Sequence, residues 1–201
     1  MDGSGVSPGS RRTASPDRPM AGNTGIKTWS GLTFTADVAG PAGGPLVLLL
    51  HGFPESRHSW RAALPALAAA GYRAVAPDQR GYSPGARPDP ADLANYAFDK
   101  LVNDAIEIAA AAGYDGRRFH LVGHDWGGQV SWGVADLHPE RLASLTILSR
   151  PHPKSFRRAL LKEDGRSTVR AITAPSSSPR PARCCWPTMR AGCATAFSAR
   201  A

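Results

Sequence analysis

The chain has 201 residues and a net charge of +8, and that charge is unevenly distributed. Residues 1–149 carry 13 Lys and Arg against 14 Asp and Glu, whereas residues 150–201 carry 11 against 2. The basic excess lies in the last quarter of the chain, which argues against a body that binds nucleic acid. The sequence has no apolar run long enough to span a membrane and no signal-peptide core, so we expect a cytoplasmic protein without a membrane partner.

Composition divides the chain into three segments. Residues 1–25 are rich in Gly, Ser, Pro and Arg and are predicted to be disordered. Residues 26–161 have the apolar periodicity of a folded domain, and residues 162–201 form a basic tail rich in Cys, Pro and Ser. All three cysteines lie in that tail, so the body offers no disulfide framework or metal site, and no cofactor is predicted.

Between residues 26 and 148, apolar strands alternate with amphipathic helices. The predicted strands are 26–29, 32–38, 45–50, 73–77, 119–122 and 142–148, and the predicted helices are 59–70, 98–112 and 129–137. The first two strands form a hairpin with one solvated face, and 45–50 (PLVLLL) suits a strand that is covered on both faces. Strand–helix alternation predicts an α/β fold with a doubly wound, mostly parallel sheet.

The stretch GHDWG at residues 123–127 carries the chemistry. A G-x-nucleophile-x-G sequence between a strand and a helix predicts a sharp turn that exposes one side chain, here Asp125. Gly123 and Gly127 are needed because a Cβ at either position would collide with the tight backbone. A carboxylate is ionised at neutral pH and can attack carbon to form a covalent ester, which then needs a base to activate water. The simpler alternative is a glycine-rich turn with a helix-capping aspartate.

A second loop, HGFP, follows the strand at 45–50 and belongs at the same sheet edge, because functional loops gather at the carboxyl ends of parallel strands. The backbone N–H groups of Phe53 and Trp126 are the predicted pair of donors for a developing negative oxygen. Gly52 and Pro54 shape this loop, and His51 is expected to brace it by hydrogen bonding rather than to move protons. The Trp126 side chain either lines a pocket or is core.

Four stretches, HGFPESRHSW, APDQRGYSPGARP, LVGHDWGG and HPERLASLTILSRPHP, resemble the epoxide-hydrolase-like branch of the α/β-hydrolases. The resemblance implies a partial α/β-hydrolase fold over about residues 26–161, without the cap domain and the last strands. It implies Asp125 as nucleophile, the Phe53 and Trp126 amides as oxyanion hole, and an apolar epoxide as small-molecule substrate. The family's second carboxylate, water-activating histidine and cap tyrosines come later in the chain and have no match here. His152 is the remaining histidine near the expected edge.

Beyond residue 161 the sequence loses its apolar period, and two explanations stay open. One is a natural disordered tail, and the other is a reading-frame shift, since an alternative reading around Cys184 and Cys185 yields the amphipathic EVLLADDAGRLRDGL. Two rival functions also stay open. A haloalkane or haloacid dehalogenase would use Asp125 to displace halide, and a truncated product would have no activity. A serine esterase is disfavoured because the residue at the turn is Asp.

Overall fold

The computed structural model describes residues 22–161. Six strands form one mixed sheet in the order β1-β2-β4-β3-β5-β6. The strands are β1 (Gly22–Lys27), β2 (Thr33–Ala39), β3 (Leu46–Leu50), β4 (Arg73–Pro77), β5 (Phe119–His124) and β6 (Leu142–Leu148). The helices are α1 (Ala63–Ala69), α2 (Phe98–Ala109), α3 (Trp126–Leu137) and α4 (Pro153–Leu161). β3, β4, β5 and β6 run parallel, and the β1–β2 hairpin adds two antiparallel pairings, so the predicted mostly parallel α/β sheet is confirmed.

The hairpin begins earlier than the sequence predicts. Gly22 already pairs with Val38, so the boundary placed at residue 25 is wrong by several residues. Gly22 and Gly25 gave no apolar signal, because this part of β1 is held by main-chain pairing and is exposed. In β2 the side chains of Phe34 and Ala36 are buried while their neighbours are half-exposed, as the alternation predicts.

Helices cover both faces of the sheet, which is the doubly wound arrangement. On one face, α2 and α3 pack over the larger core, which includes Leu48, Leu121 and Val130. On the other face, Leu64 and Ala68 of α1 pack against Val47 and related residues of the smaller core. All five residues of β3 are buried, as expected for a central strand that is covered on both sides.

The helix boundaries differ from the predicted ones in three places. The stretch predicted as a helix over 59–70 is a 3₁₀ turn at Arg57–Trp60 followed by α1, and Gly71 follows with a φ of 87°. α2 ends at Ala109 and continues as a π-helical turn, in which Gly113 takes a φ of 95°. The helix predicted over 129–137 begins three residues earlier, at Trp126.

α4 was not predicted, although its sequence PKSFRRALL is strongly amphipathic. His152 accepts a hydrogen bond from the Lys154 N–H through Nδ1 (3.2 Å) and thereby caps the start of this helix. None of the helices in residues 22–161 combines the length and apolar character that a membrane crossing requires. The predicted tail at 162–201 and residues 1–21 of the predicted N-terminal segment 1–25 lie outside the described residues.

A buried ion pair connects the loop after β4 to α2. The guanidinium of Arg80 donates to both carboxylate oxygens of Asp104, at 2.7 Å through Nε and 2.6 Å through Nη2, and both side chains are less than a tenth exposed. Arg80 also donates to the Asn95 carbonyl at 3.0 Å. The two bonds to Asp104 fix the Arg80 guanidinium on α2, and the bond to the Asn95 carbonyl attaches the 3₁₀ turn at Leu93–Tyr96 to that guanidinium. Breaking one side of such a pair leaves an uncompensated buried charge, which is more costly than removing both.

We expect Arg80→Met to lower the free energy of unfolding by about 3–5 kcal/mol, because Asp104 would remain buried without its partner. The double variant Arg80→Met/Asp104→Leu should recover most of that loss, since an apolar pair of similar volume removes the stranded charge. Denaturant unfolding at one fixed protein concentration measures both. The second single variant is Asp104→Leu. If the double variant lost as much free energy of unfolding as Arg80→Met and Asp104→Leu lose together, the assignment of a coupled pair would be contradicted.

Candidate active site

Two loops meet at the carboxyl ends of adjacent parallel strands. β3 and β5 are hydrogen-bonded neighbours, and Leu50 at the end of β3 lies opposite Gly123 near the end of β5. The chain that leaves β3 (His51 onward) and the turn that leaves β5 therefore start side by side. This is the edge at which open α/β sheets place their ligands.

Asp125 occupies a strained turn between β5 and α3. Its φ of 46° and ψ of −108° place it in a region that residues with a Cβ rarely adopt. The turn is held by hydrogen bonds on both sides: the Asp125 N–H donates to the Leu148 carbonyl (3.1 Å), and the Asp125 carbonyl accepts from the Gln129 N–H (3.1 Å). A strained residue that is held in this way is typical of a functional position.

The two glycines of the motif have the steric role that the sequence predicts. A Cβ at Gly123 would lie 2.3 Å from Ser131 Oγ and 2.5 Å from the Gly127 carbonyl oxygen. A Cβ at Gly127 would lie 2.3 Å and 2.6 Å from the carbonyl oxygens of Leu50 and His51. The Gly127 N–H donates to the His51 carbonyl at 3.0 Å, so this close approach joins the start of α3 directly to the end of β3.

The backbone amide of Phe53 faces the Asp125 carboxylate. Its N–H donates to Oδ1 at 3.3 Å, across 72 positions of sequence. Trp126 provides the first residue of α3, where backbone N–H groups and the helix dipole favour negative charge. The Asp125 carboxylate therefore lies near Phe53 and Trp126, the two residues whose backbone amides are predicted as donors. The Trp126 side chain is half-buried and packs against the larger core.

His51 is fully buried and saturated with hydrogen bonds. Its Nδ1 lies 2.9 Å from the Gly52 carbonyl and its Nε2 accepts from the Gln79 N–H at 3.1 Å, so the ring is neutral with its proton on Nδ1. The Gln79 side chain donates to the His51 carbonyl at 2.6 Å. Burial lowers the pKa of His51, against the raising effects of the Gly52 carbonyl and the Asp78 and Glu55 charges. With both ring nitrogens engaged, His51 holds the loop in place.

A carboxylate–imidazole pair that was not predicted from the sequence lies beside this loop. Glu55 Oε2 lies 3.1 Å from His124 Nδ1, and it also accepts from the Ser59 hydroxyl (3.2 Å) and the Gly52 N–H (3.4 Å). Partial burial raises the pKa of Glu55, but these hydrogen bonds outweigh it and the net pKa is lowered. Glu55 follows HGFP directly, yet only the fold shows that it reaches the residue before Asp125.

Gly52 has no room for a side chain between these groups. A Cβ there would lie 2.8 Å from Asp125 Cβ and 3.0 Å from His124 Nδ1. Pro54 follows through a cis peptide bond and is exposed, as is the Phe53 side chain.

His152 packs edge-on against Trp132 at a centroid distance of 4.7 Å, and its described polar contact is the helix cap of α4. Within residues 22–161, no three His, Cys, Asp or Glu side chains cluster as metal ligands.

The mostly parallel sheet, the strained turn at Asp125 and the adjoining loop after β3 define a class of protein. A model of the alpha/beta hydrolase fold family matches residues 45–182, more than half of the chain, and the protein belongs to that family. The part of the match beyond residue 161 lies outside the described residues.

The relatives with the highest similarity include several epoxide hydrolases. Human epoxide hydrolase 4 is 42% identical over 133 residues, which are 66% of this chain and 35% of the human protein. Epoxide hydrolase B of Mycobacterium tuberculosis is 47% identical over 108 residues, 54% of this chain and 29% of its own length. The chain thus spans about a third of the length of these curated relatives.

Solved structures of epoxide hydrolases are also similar to this chain. Epoxide hydrolase A from Mycobacterium thermoresistibile superposes with a TM-score of 0.61 at 34% identity, covering 79% of this chain and 50% of that one. An epoxide hydrolase from hot-environment metagenomes superposes with a TM-score of 0.63 at 34% identity, covering 72% and 47%. The predicted resemblance to the epoxide-hydrolase-like branch is confirmed.

We expect Gly127→Ala to disrupt the site and the fold around it, because its Cβ would overlap the backbone carbonyls of Leu50 and His51. Backbone cannot move aside as a flexible side chain can, so a loss of several kcal/mol is expected. Gly43→Ala is the matched control, since a Cβ at Gly43 meets nothing within 4 Å. Thermal unfolding followed by circular dichroism compares the two. A Gly127→Ala variant as stable as Gly43→Ala would contradict the close approach described above.

We expect the stability of the protein to fall as the pH drops from about 7 toward 5.5. The folded-state pKa of His51 is lowered, so its contribution is complete above the unfolded-state value of about 6.5 and is lost as the pH falls below it. Glu55, whose pKa is also lowered, contributes stability throughout this range, and its contribution is lost only as the pH falls below its ordinary value of 4.5. His51→Gln should flatten the slope between pH 7 and 5.5 in denaturant titrations. An unchanged slope would show that another group carries the dependence.

Proposed function

We propose that this domain opens an epoxide through a covalent ester on Asp125, as a member of the epoxide-hydrolase-like branch. The observation that supports this best is the 3.3 Å hydrogen bond from the Phe53 N–H to Asp125 Oδ1, at the strained turn between β5 and α3. A carboxylate held there has one oxygen bound to an amide and the other available for attack. The similarity to epoxide hydrolases suggests the substrate class.

In the proposed first step, the second oxygen of Asp125 attacks an epoxide carbon. A carbon–oxygen bond forms to Asp125 while the carbon–oxygen bond of the strained ring breaks, and the leaving alkoxide takes a proton from an acid or from water. The product is a hydroxyalkyl ester of Asp125. Ionised carboxylate needs no base for this step.

The proposed second step is addition of water to the ester carbonyl carbon, in which the water gives up a proton to a base. The bond between the acyl carbon and the alkyl oxygen then breaks, the leaving alkoxide takes up a proton to become the diol, and the Asp125 carboxylate is regenerated. During the addition, negative charge develops on the carbonyl oxygen that began as Oδ1. The Phe53 amide already points at that atom, and the Trp126 amide, in the first turn of α3, is the proposed second donor. Fixed donors of this kind contribute about 3–4 kcal/mol each to the stabilisation of the charged intermediate.

Deacylation needs a base, and here the chain departs from the family pattern that it resembles. The sequence contains no histidine after His152, and His152 is engaged as the cap of α4. His124 is paired with Glu55 through Nδ1. For this chain we therefore propose that ester formation outpaces ester hydrolysis, so that the covalent product accumulates.

We expect incubation with a reactive epoxide to add one mass of the reagent to the protein, on the peptide that contains Asp125. Intact-mass and peptide mass spectrometry measure the adduct, and a time course of diol release measures turnover. Asp125→Ala should abolish the label, while Asp136→Ala, which removes a carboxylate from the far end of α3, should retain it.

Labelling that appears only on Cys184, Cys185 or Cys193 would contradict the proposal, because the Asp125 carboxylate would then be unreactive. Rapid diol formation that Asp125→Asn abolishes would retain Asp125 as nucleophile and overturn the slow hydrolysis. A chloroalkane of matched size tests the dehalogenase alternative, in which Asp125 attacks the carbon that bears chlorine, the carbon–chlorine bond breaks with release of chloride, and an alkyl ester of Asp125 forms. Faster labelling by the chloroalkane than by the epoxide would favour that alternative.

A further inference from the structure

The loop that carries the Phe53 amide is attached at both of its ends to two consecutive residues that follow β4. At the start of the loop, the Gln79 N–H and side chain bind the ring and the carbonyl of His51. At its end, the Arg57 N–H donates to Asp78 Oδ1 at 2.9 Å. The Phe53 amide lies between the two attachments, so the position of its N–H depends on both.

The Arg57 side chain joins the end of the loop to two carboxylates. Its Nη1 donates to Asp78 Oδ2, and its Nε donates to Asp37 Oδ1 at 3.0 Å. Asp37 lies in β2, where it pairs with Ala76 of β4. Asp78 is itself fixed, because its N–H donates to the Thr35 carbonyl of β2 at 2.8 Å. Arg57 therefore attaches the loop to the paired backbones of β2 and β4.

One guanidinium serves both carboxylates. The side chains of Asp78, Asp37 and Arg57 are 8%, 18% and 25% exposed, so all three are largely withdrawn from water. Within residues 22–161, Arg57 is the cation that pairs with either acid. An apolar residue in its place would leave two like charges close together in a partly buried site, where they repel each other and lack hydrogen-bond donors.

A turn inside the loop connects this attachment to the Phe53 amide. The Glu55 N–H donates to the Gly52 carbonyl at 3.1 Å, which places Phe53 at the second position of a four-residue turn. One residue, Ser56, separates the turn from Arg57. A displacement of Arg57 therefore reaches Phe53 through a short, hydrogen-bonded segment.

The bond from the Phe53 N–H to Asp125 tolerates little displacement. Its length of 3.3 Å is at the long end of the range for N–H···O bonds, which weaken steeply as they lengthen or bend. On the other side, a Cβ at Gly52 would lie 2.8 Å from Asp125 Cβ, so the loop has no room to move closer. A small shift of the loop thus either breaks the bond or brings the loop into collision with Asp125.

We propose that Arg57 is a positioning residue, whose bonds to Asp37 and Asp78 hold the loop so that the Phe53 amide faces Asp125. Arg57 acts through the loop and not by contact with the reacting carboxylate. Its effect on the reaction rests on the function proposed for Asp125. The hydrogen bond that it positions is a property of the fold and is measured without substrate.

Nuclear magnetic resonance of the 201-residue chain measures that bond. Asp125→Asn should move the Phe53 amide proton upfield, because a neutral oxygen is a weaker acceptor than a carboxylate. In an Arg57→Met background, the same change should produce a much smaller shift. Arg61→Met is the matched control and should keep the full shift, because Arg61 ends the same 3₁₀ turn but donates to the His58 carbonyl.

The rate of ester formation with a reactive epoxide provides a second measurement, followed by intact mass over a range of epoxide concentrations. Arg57→Met should lower the rate at saturation about ten- to a hundredfold, since a small misplacement of a reacting group has effects of this size. The concentration for half-saturation should change little, because Arg57 acts on the loop and not on the substrate. Arg57→Lys should be intermediate, because an ammonium keeps the charge but lacks the fork of donors. Arg61→Met should react like the wild-type chain.

An equal shift of the Phe53 amide with and without Arg57→Met would overturn the proposal, as would a wild-type amide that does not respond to Asp125→Asn. Loss of the shift in both Arg57→Met and Arg61→Met would also overturn it, because any substitution in the turn would then suffice. If the shifts follow the expected pattern but no ester forms on Asp125, the positioning role is supported and the proposed function fails.

If Arg57→Met fails to fold by circular dichroism, Arg57→Lys and Asp37→Asn decide the question by the same resonance. Asp37→Asn weakens the bond to Nε and leaves the contacts with Asp78 in place. A reduced shift of the Phe53 amide in these two variants supports the proposal, and a full shift in both overturns it.

Discussion

The close approach of Gly127 to the end of β3 is the contact on which the candidate site depends. The Gly127 N–H donates to the His51 carbonyl at 3.0 Å, and a Cβ in this position would be only 2.3 Å from the Leu50 carbonyl oxygen. Backbone here meets backbone, so the distance is set by main-chain geometry and not by side-chain packing. Since α3 begins one residue earlier, this contact also fixes where Asp125 points.

A chain of hydrogen bonds carries this constraint outward to the loop. The Gln79 amide and side chain, at the end of β4, hold the ring and the carbonyl of His51. His51 in turn holds the Gly52 carbonyl, and the next amide, that of Phe53, faces Asp125. Three neighbouring strands thus fix the position of one donor. Donors that are fixed before the reaction lower its barrier without reorganisation at the moment of charge development.

Local patterns in the sequence were sufficient for the central strands and for the two loops. The runs at Arg73–Pro77 and Leu142–Leu148 have the predicted bounds, and their alternation with helices predicted the mostly parallel sheet. The start of β1 could not be predicted in the same way, because its exposed glycines are ordered by pairing with β2. The separation of the 3₁₀ turn at Arg57–Trp60 from α1 was not predicted either, because the turn is held by contacts between Arg57 and the distant carboxylates of Asp37 and Asp78.

The candidate site also combines features that local sequence predicts with features that depend on long-range contacts. The motif predicted that Asp125 lies at a turn and that glycines flank it, because these are local steric requirements. Glu55 and His124 are 69 positions apart in the sequence, and no periodic pattern of apolar residues indicates that they meet. A Cβ at Gly52 would meet the side chains of both His124 and Asp125, so the two neighbours in sequence border the same glycine. Groups that meet only through the sheet edge are the part of a site that a single sequence does not reveal.

β6 takes part in the candidate site through its last residue. The Leu148 carbonyl accepts a hydrogen bond from the Asp125 N–H at 3.1 Å, so the turn is attached to the neighbouring strand as well as to the helix that follows it. Leu148 lies opposite His124, the last residue of β5. Because this bond joins two strand ends, a shift in the pairing of β5 with β6 would also move Asp125. The orientation of Asp125 therefore depends on the register of the sheet, which the local motif does not contain.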